Sequence, residues 1–96
     1  MPYFALIYDL IDDYVARRAP LRERHLALAE ESRARGEIVL AGAFSDPVDK
    51  ALLIFNASDK SIPESFVAND PYVNSGLVKH WEIRPWTVVV GNAGSS

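Results

Sequence analysis

Two segments of this chain are apolar at every position, and they constrain the fold more than any other feature. Residues 4–8 read Phe-Ala-Leu-Ile-Tyr, and residues 51–55 read Ala-Leu-Leu-Ile-Phe. A strand with one solvated face alternates apolar and polar side chains, whereas both of these segments present apolar side chains on both faces. We therefore predict two strands of a sheet whose faces are both covered.

The remaining sequence predicts two further strands and two helices. The four predicted strands are Tyr3–Tyr8, Glu37–Phe44, Lys50–Ala57 and a segment within Leu77–Val90. A helix is predicted over Pro20–Arg35, where apolar and small side chains recur on one side and Gly36 follows as the terminating residue. A short second helix should begin at Ser61, which has the capping-box spacing to Glu64, and should end before Pro71.

The resulting order, β-α-β-β-α-β, is typical of a ferredoxin-like α+β fold. Right-handed crossovers place both helices on one face of the sheet, so the other face needs a separate cover. We predict that a second copy provides it in a homodimer; the alternative is that residues 10–19 and the C-terminal tail fold over that face. We expect one domain over residues 1–90 and a flexible tail over residues 91–96.

Composition excludes several classes of function. The chain has 96 residues and a formal net charge of −3, which argues against a sequence-independent grip on nucleic acid and against adhesion to anionic membranes. It has no cysteine, which excludes disulfides and thiolate chemistry and suits a cytoplasmic location. Acidic residues at positions 9, 12 and 13 interrupt the apolar N-terminus, so we expect neither a signal peptide nor a membrane span.

His25 and Asp70 are the side chains most able to carry chemistry. His25 lies on the apolar side of the first predicted helix, and Asp70 stands where the second helix ends, a position that the helix dipole disfavours for a carboxylate. Each also has a structural reading, as a buried hydrogen-bonded histidine and as the start of an Asp-Pro turn. If they meet, the carboxylate would fix the imidazole tautomer and make the second ring nitrogen a general base or acid.

Other catalytic signals are weak or missing. Arg22 is one helical turn before His25 and can reach an anionic ligand there, whereas the other arginines of the helix are interpreted as solvated. The chain has no G-x-S-x-G elbow, P-loop or G-x-G-x-x-G motif. Two histidines without ligand-like spacing argue against a metal site.

Several motifs together resemble the YCII-related domain family. They are Arg22-Glu23-Arg24-His25-Leu26, Leu40-Ala41-Gly42, Asp70-Pro71-Tyr72, Gly76-Leu77 and Glu82-Ile83-Arg84-Pro85-Trp86. The resemblance extends to Trp86, and its C-terminal segment is the most specific part. One departure is Ala43, which stands where the family often has proline.

The resemblance implies a dimeric α+β barrel in which His25 and Asp70 form an active-site dyad beside a cleft. If the chain is an enzyme, we expect Arg22 or Ser45 to contact the substrate. The resemblance also implies elimination of chloride from a chlorinated hydroxyaromatic compound or, as in related folds, isomerisation of a lactone. Such proton transfers need no metal or organic cofactor. For this chain we expect a small substrate that is cyclic and anionic. The alternative is a dimeric domain that binds a small ligand without catalysis and uses the pair structurally.

Overall fold

A computed structural model describes residues 2–91 of the chain. Its strands are β1 (Tyr3–Leu10), β2 (Ile38–Ala43), β3 (Lys50–Asn56) and β4 (Val78–Trp86). Its helices are α1 (Tyr14–Arg18), α2 (Arg22–Ala34), α3 (Ser61–Asn69) and α4 (Pro71–Asn74). The predicted β-α-β-β-α-β order is confirmed, and α1 and α4 are added to it. Of the predicted tail, residues 92–96 lie outside the described residues, so its flexibility stays a prediction.

The four strands form one antiparallel sheet in the order β2-β3-β1-β4. Leu6 of β1 is paired with Leu53 of β3 on one side and with Ile83 of β4 on the other. These side chains face the helices, and alternate residues of β1 and β3 join the same core. The core also takes Phe66 from α3 and Tyr72 from α4, so the helices cover one face of the sheet as predicted.

The stretch before α2 differs from the prediction. Residues 10–19 show no clear pattern in the sequence, yet β1 continues to Leu10 and α1 follows after a short turn. A 3-10 turn at Ala19–Leu21 then leads directly into α2, so Pro20 belongs to that turn and not to the α-helix. The predicted inward-facing stripe is nevertheless correct, because His25 and Leu28 are half-buried and Ser32 is buried.

The predicted capping box at the start of α3 is wrong. Lys60 occupies the N-cap position, and no side chain caps the helix. The carboxylate of Asp59 instead accepts a hydrogen bond from the Ser61 backbone N–H at 2.8 Å, and it also accepts from the Ser61 hydroxyl. An ionised carboxylate two residues earlier is a strong acceptor, so it takes the Ser61 backbone N–H that Glu64 would have received in a capping box. The Glu64 backbone N–H, which the Ser61 side chain would have received, instead donates to the Lys60 carbonyl.

The sheet face opposite the helices is only partly covered by this chain. Residues 10–19 do not lie over it, because Leu10 and Tyr14 belong to the core on the helical side. The segment after β4 does reach it, since Val88 and Val90 line a depression together with Leu40 and Ile54. Leu40 remains 66% exposed there, so the predicted second copy still has an apolar surface to cover.

Candidate functional site

A cavity of about 240 Å³ lies between the helical layer and the β2–β3 side of the sheet. The helical wall is a stripe of side chains spaced one turn apart: Tyr14, Arg18, Arg22, His25, Leu26 and Ala29. The opposite wall consists mainly of small residues, which are Ala41, Gly42 and Ala43 of β2 and Ala51 of β3. The cavity exists because these strands offer almost no side-chain volume to the facing helix.

His25 and Asp70 meet at this cavity. The Nδ1 atom of His25 lies 2.8 Å from the Oδ1 atom of Asp70, across 45 positions of sequence. A carboxylate only accepts, so Nδ1 carries the proton and Nε2 retains its lone pair when the ring is neutral. The His25 side chain is 15% exposed and lines the cavity, whereas Asp70 is fully buried behind it.

Asp70 is held by two further donors. The Tyr8 hydroxyl donates to Oδ2 at 2.7 Å, and the backbone N–H of Tyr72 donates to Oδ1 at 3.0 Å. The second bond makes Asp70 the N-cap of α4, with Pro71 in the first helical position. Asp70 also ends α3 as its C-cap, so the predicted position at a helix C-terminus is correct. The N–H donor of α4 supplies a hydrogen-bonding partner for a carboxylate that the α3 dipole disfavours.

Aromatic rings fix the plane of the imidazole. The His25 ring stacks on the Tyr72 ring with a centroid distance of 3.8 Å and an interplanar angle of 8°. Phe66 approaches His25 edge-on at 6.4 Å. With one ring nitrogen bound and one face covered, the imidazole has a single well-defined orientation toward the cavity.

Burial shifts the acidity of the two phenols beside the pair. Burial raises the pKa of Tyr8 well above its ordinary value, and the Asp70 charge with its hydrogen bond adds to that rise. Burial also raises the pKa of Tyr72, while the positive charges of Arg22 and Arg18 oppose the rise. Tyr8 is therefore a protonated donor to Asp70 across the physiological range.

The two predicted substrate contacts have different positions. Arg22 lines the cavity one turn before His25. Ser45 is exposed in the β2–β3 connection, two residues beyond Ala43, and is not among the described residues that line the cavity. The fold therefore brings together His25, Asp70 and Arg22 but leaves Ser45 outside the group.

Sequence reasoning missed the parts played by Tyr8, Arg18 and Tyr72. A signal existed for each. Tyr8 shares the strand parity of Leu6 and therefore faces the helices. Arg18 precedes Arg22 by four residues, which places the two side chains on one helical face. Asp followed by Pro is the signature of an N-cap with proline at the first helical position.

The described residues contain no group of three or more His, Asp or Glu side chains arranged to hold a metal ion. Over residues 2–91, no helix combines the length and the apolar composition needed to cross a membrane. The site is thus described by its hydrogen bonds, its aromatic contacts and its two arginines.

Comparison with known proteins adds a family and a fold. The model of the YCII-related domain matches residues 1–87. No curated protein matches the chain in sequence. Among solved structures, the chain is similar to 5-chloro-2-hydroxyhydroquinone dehydrochlorinase (TftG) from Burkholderia phenoliruptrix, solved in complex with 2,5-dihydroxybenzoquinone. The TM-score is 0.75 and the sequence identity is 22%, over 88% of this chain and 93% of that one.

Two further structures are similar at lower scores. A candidate antibiotic biosynthesis monooxygenase from Deinococcus radiodurans has a TM-score of 0.57 and 14% identity over 96% of both chains. An Agrobacterium tumefaciens protein has a TM-score of 0.52 and 18% identity over 93% of this chain and 94% of that one. At these sequence identities, the structural similarity shows that the chain has the ferredoxin-like α+β fold. The strand order β2-β3-β1-β4 agrees with that fold.

Proposed function

The chain belongs to the YCII-related domain family, and from this premise we propose that it is a small-molecule enzyme that uses His25 for proton transfer and Asp70 to orient it. The observation that carries the proposal is the 2.8 Å bond between His25 Nδ1 and Asp70 Oδ1 at the wall of a cavity. A buried carboxylate behind an imidazole that faces a cavity is a recurrent arrangement for general acid–base catalysis.

The proposed mechanism assigns each group one task. Asp70 accepts a hydrogen bond from the Nδ1–H of His25, which leaves the Nε2 lone pair free to take a proton from a bound substrate. Asp70 then stabilises the imidazolium that forms, because the opposite charge is in direct contact. Tyr8 and the Tyr72 backbone N–H keep the carboxylate in place throughout.

Two reaction classes fit a single proton-transfer group. In an elimination, the base removes a substrate proton while a leaving group such as chloride departs with its bonding electron pair, so that hydrogen chloride is lost overall. In an isomerisation, the same proton returns at another position. Elimination is the first to test because TftG, which shares the fold, is a dehydrochlorinase.

The substrate contacts in this proposal are Arg22 and Ser45. Arg22 lines the cavity one turn before His25 and can therefore reach a ligand that lies against the imidazole. Ser45 lies two residues after Ala43, which is the last of the small residues of β2 that line the cavity. It would contact only a ligand that extends past Ala43.

We also propose that the protein is a homodimer that joins the sheet faces opposite the helices, as in a dimeric α+β barrel. Ala5, Ile7 and Leu52 present an apolar strip in the middle of that face, and Leu40 and Trp86 are exposed at its two edges. A second copy would remove this strip from water, which favours association in proportion to the apolar area buried.

The alternative is a non-catalytic ligand-binding domain in which the pair is structural. The saturation of Asp70 favours it, because three donors hold that carboxylate as they would in a purely structural N-cap. The enzyme and the ligand-binding domain differ in one testable respect. Removal of the His25 imidazole should abolish turnover in the enzyme, whereas it should only lower stability in the ligand-binding domain.

The experiment that tests the enzyme measures turnover of small hydroxyaromatic and lactone compounds, beginning with chloride release from 5-chloro-2-hydroxyhydroquinone. We expect His25→Ala and Asp70→Asn each to lower turnover by about 10²-fold or more, as loss of a general base does. Arg24→Gln is the matched control, since Arg24 is exposed on the same helix and lies outside the cavity. Turnover that survives His25→Ala unchanged, or an absence of turnover across the panel, would contradict the proposal.

A further inference from the structure

The charge of the cavity wall is opposite to that of the protein. The described residues that line the cavity include two arginines, Arg18 and Arg22, and include neither Asp nor Glu. The whole chain carries a formal net charge of −3. Asp70 does not offset the arginines at the wall, because it lies behind His25 with its oxygens bound to three donors. The cavity is therefore a local positive region in an acidic protein.

Among the residues that the structure describes, no acidic side chain neutralises either arginine. Within residues 2–91, the ion pairs of the other basic side chains join Arg33 to Glu30, Arg35 to Glu37 and Lys50 to Asp9. No carboxylate forms an ion pair with Arg18 or Arg22 in the same part of the chain. Their guanidinium donors are thus available to a ligand, and Arg18 is half-buried where a ligand would displace water.

Aromatic contacts hold Arg18 in position. Its guanidinium carbon lies 5.2 Å from the centroid of the Tyr14 ring, which is a cation–π distance. Tyr14 in turn packs edge-on against Tyr72 at 5.6 Å, and Tyr72 stacks on His25. The rings of Tyr14 and Tyr72 therefore form a continuous set of contacts between the Arg18 guanidinium and the His25 imidazole. These contacts fix the position of the guanidinium relative to the imidazole.

The remaining walls limit the size and polarity of the ligand. They are aliphatic, with Leu26 on the helix and Leu53 with the small residues on the sheet. The volume of about 240 Å³ is below the range of roughly 300–1,000 Å³ usual for drug-sized ligands. The space suits one small ring with a few substituents.

We propose that this cavity selects small monocyclic organic oxyanions, carboxylates or phenolates, whose charged oxygens are held jointly by Arg18 and Arg22 while the ring lies against His25 and the small-residue wall. Arg18 is then a specificity-determining residue. The inference rests on the proposed function for its site and deepens it by naming the charge and size of the substrate.

Benzoate and benzamide are the probes that test it, because they share a shape and differ in charge. Titration followed by NMR should give wild-type binding that favours benzoate by about tenfold or more at low salt, since a charge-assisted hydrogen bond contributes at least that much. Added salt should weaken benzoate binding and leave benzamide binding unchanged. Equal binding of the two probes, or no saturable benzoate binding in the millimolar range, overturns the inference.

Variants then assign the effect to residues. Arg18→Gln and Arg22→Gln should each lower the preference for benzoate by about tenfold, whereas Arg17→Gln and Arg24→Gln are matched controls on exposed neighbours that do not line the cavity. Arg18→Lys keeps the charge without the planar fork and should lose part of the preference, which provides a milder variant if Arg18→Gln unfolds. Losses no larger than those of the controls contradict the assignment.

Failure of this inference is distinguishable from failure of the proposed function. His25→Ala retains both arginines, so benzoate preference should persist in that variant even though turnover is lost. If benzoate preference depends on Arg18 while no turnover depends on His25, the anion site stands and the enzyme proposal falls. If turnover depends on His25 but Arg18→Gln changes neither binding nor KM, the anion site falls and the enzyme stands.

Discussion

The Tyr8 hydroxyl lies 2.7 Å from the Oδ2 atom of Asp70, and this bond joins the first strand to the junction of α3 and α4 across 62 positions of sequence. Both residues are buried, so the hydrogen bond is made where water cannot replace either partner. It fixes the carboxylate relative to the sheet, just as the Tyr72 backbone N–H fixes it relative to α4. The imidazole therefore rests on a carboxylate anchored to two separate elements.

Replacement of Tyr8 by Phe should destabilise the protein. The change removes one donor and leaves Oδ2 of Asp70 buried without a partner, which costs about 1–3 kcal/mol. Urea denaturation measures the loss. Tyr14→Phe is the matched control, because Tyr14 is a buried tyrosine whose hydroxyl has no hydrogen bond within residues 2–91, and it should cost less than about 0.5 kcal/mol. Equal losses would mean that the Tyr8 bond does not contribute to stability.

Alkaline pH should destabilise the wild-type protein more steeply than the Tyr8→Phe variant. The pKa of Tyr8 is raised in the folded state, above the ordinary value of 10.0. Above that pH the unfolded chain releases a proton that the folded protein retains, so the free energy of unfolding falls as pH rises, by up to about 1.4 kcal/mol per pH unit for this group.

Denaturation from about pH 9 to about pH 11 checks this difference. Tyr8→Phe removes the contribution of Tyr8 and leaves the smaller contribution of Tyr72, whose pKa is also raised. A parallel decline in the two proteins would show that Tyr8 ionises as readily in the folded state as in the unfolded state.

Asp70 substitutions should separate its acceptor role from its charge. Asp70→Ala leaves the Tyr8 hydroxyl, the Tyr72 N–H and the His25 ring without an acceptor, which should cost about 3 kcal/mol or more. Asp70→Asn retains one acceptor oxygen and the shape of the side chain, so its loss of stability should be smaller while its loss of turnover remains large. Asp12→Asn, an exposed carboxylate on the surface, is the control.

That ordering can fail in one informative way. If Asp70→Asn destabilises the protein as much as Asp70→Ala, the charge of the carboxylate matters more for folding than its hydrogen bonds, and the N-cap is not the main structural role of Asp70.

The self-association surface should be sensitive to charge at Leu40. We expect Leu40→Lys to shift the protein from dimer to monomer in size-exclusion chromatography with light scattering, because it places a charge in an apolar contact. Val15→Lys is the matched control, since Val15 is an exposed aliphatic residue of α1 at 50% exposure against 66% for Leu40. A wild-type protein that is already monomeric at micromolar concentration, or a dimer that persists in Leu40→Lys, would contradict the dimer proposal.

Much of the fold is predictable because it depends on local patterns. The two unbroken apolar segments became the central strands β1 and β3, which are the strands that need cover on both faces. Gly36 ends the helical region with a positive φ of 80°, as a terminating glycine should. The failures are at helix starts, where Asp59 displaced the Ser61 capping box and where residues 10–19 folded into α1 without a strong periodic signal.

The site was predictable as a set of residues but not as a geometry. His25 and Asp70 can be identified from their residue types and from the family resemblance, yet their contact depends on how α2 packs against the α3–α4 junction. No local pattern encodes that packing. The Tyr8 bond is harder still, because a phenol in a fully apolar strand is indistinguishable from a core aromatic until its partner is located.

The row of small residues along β2 gives this fold room to change what it recognises. Ala41 and Ala43 belong to an edge strand and are exposed, so larger side chains there would narrow the cavity without displacing any part of the interior. Single substitutions at these two positions could therefore redirect the protein toward shorter or slimmer ligands while the proton-transfer group and its supports stay intact, which makes residues 41 and 43 suitable positions for a selection library.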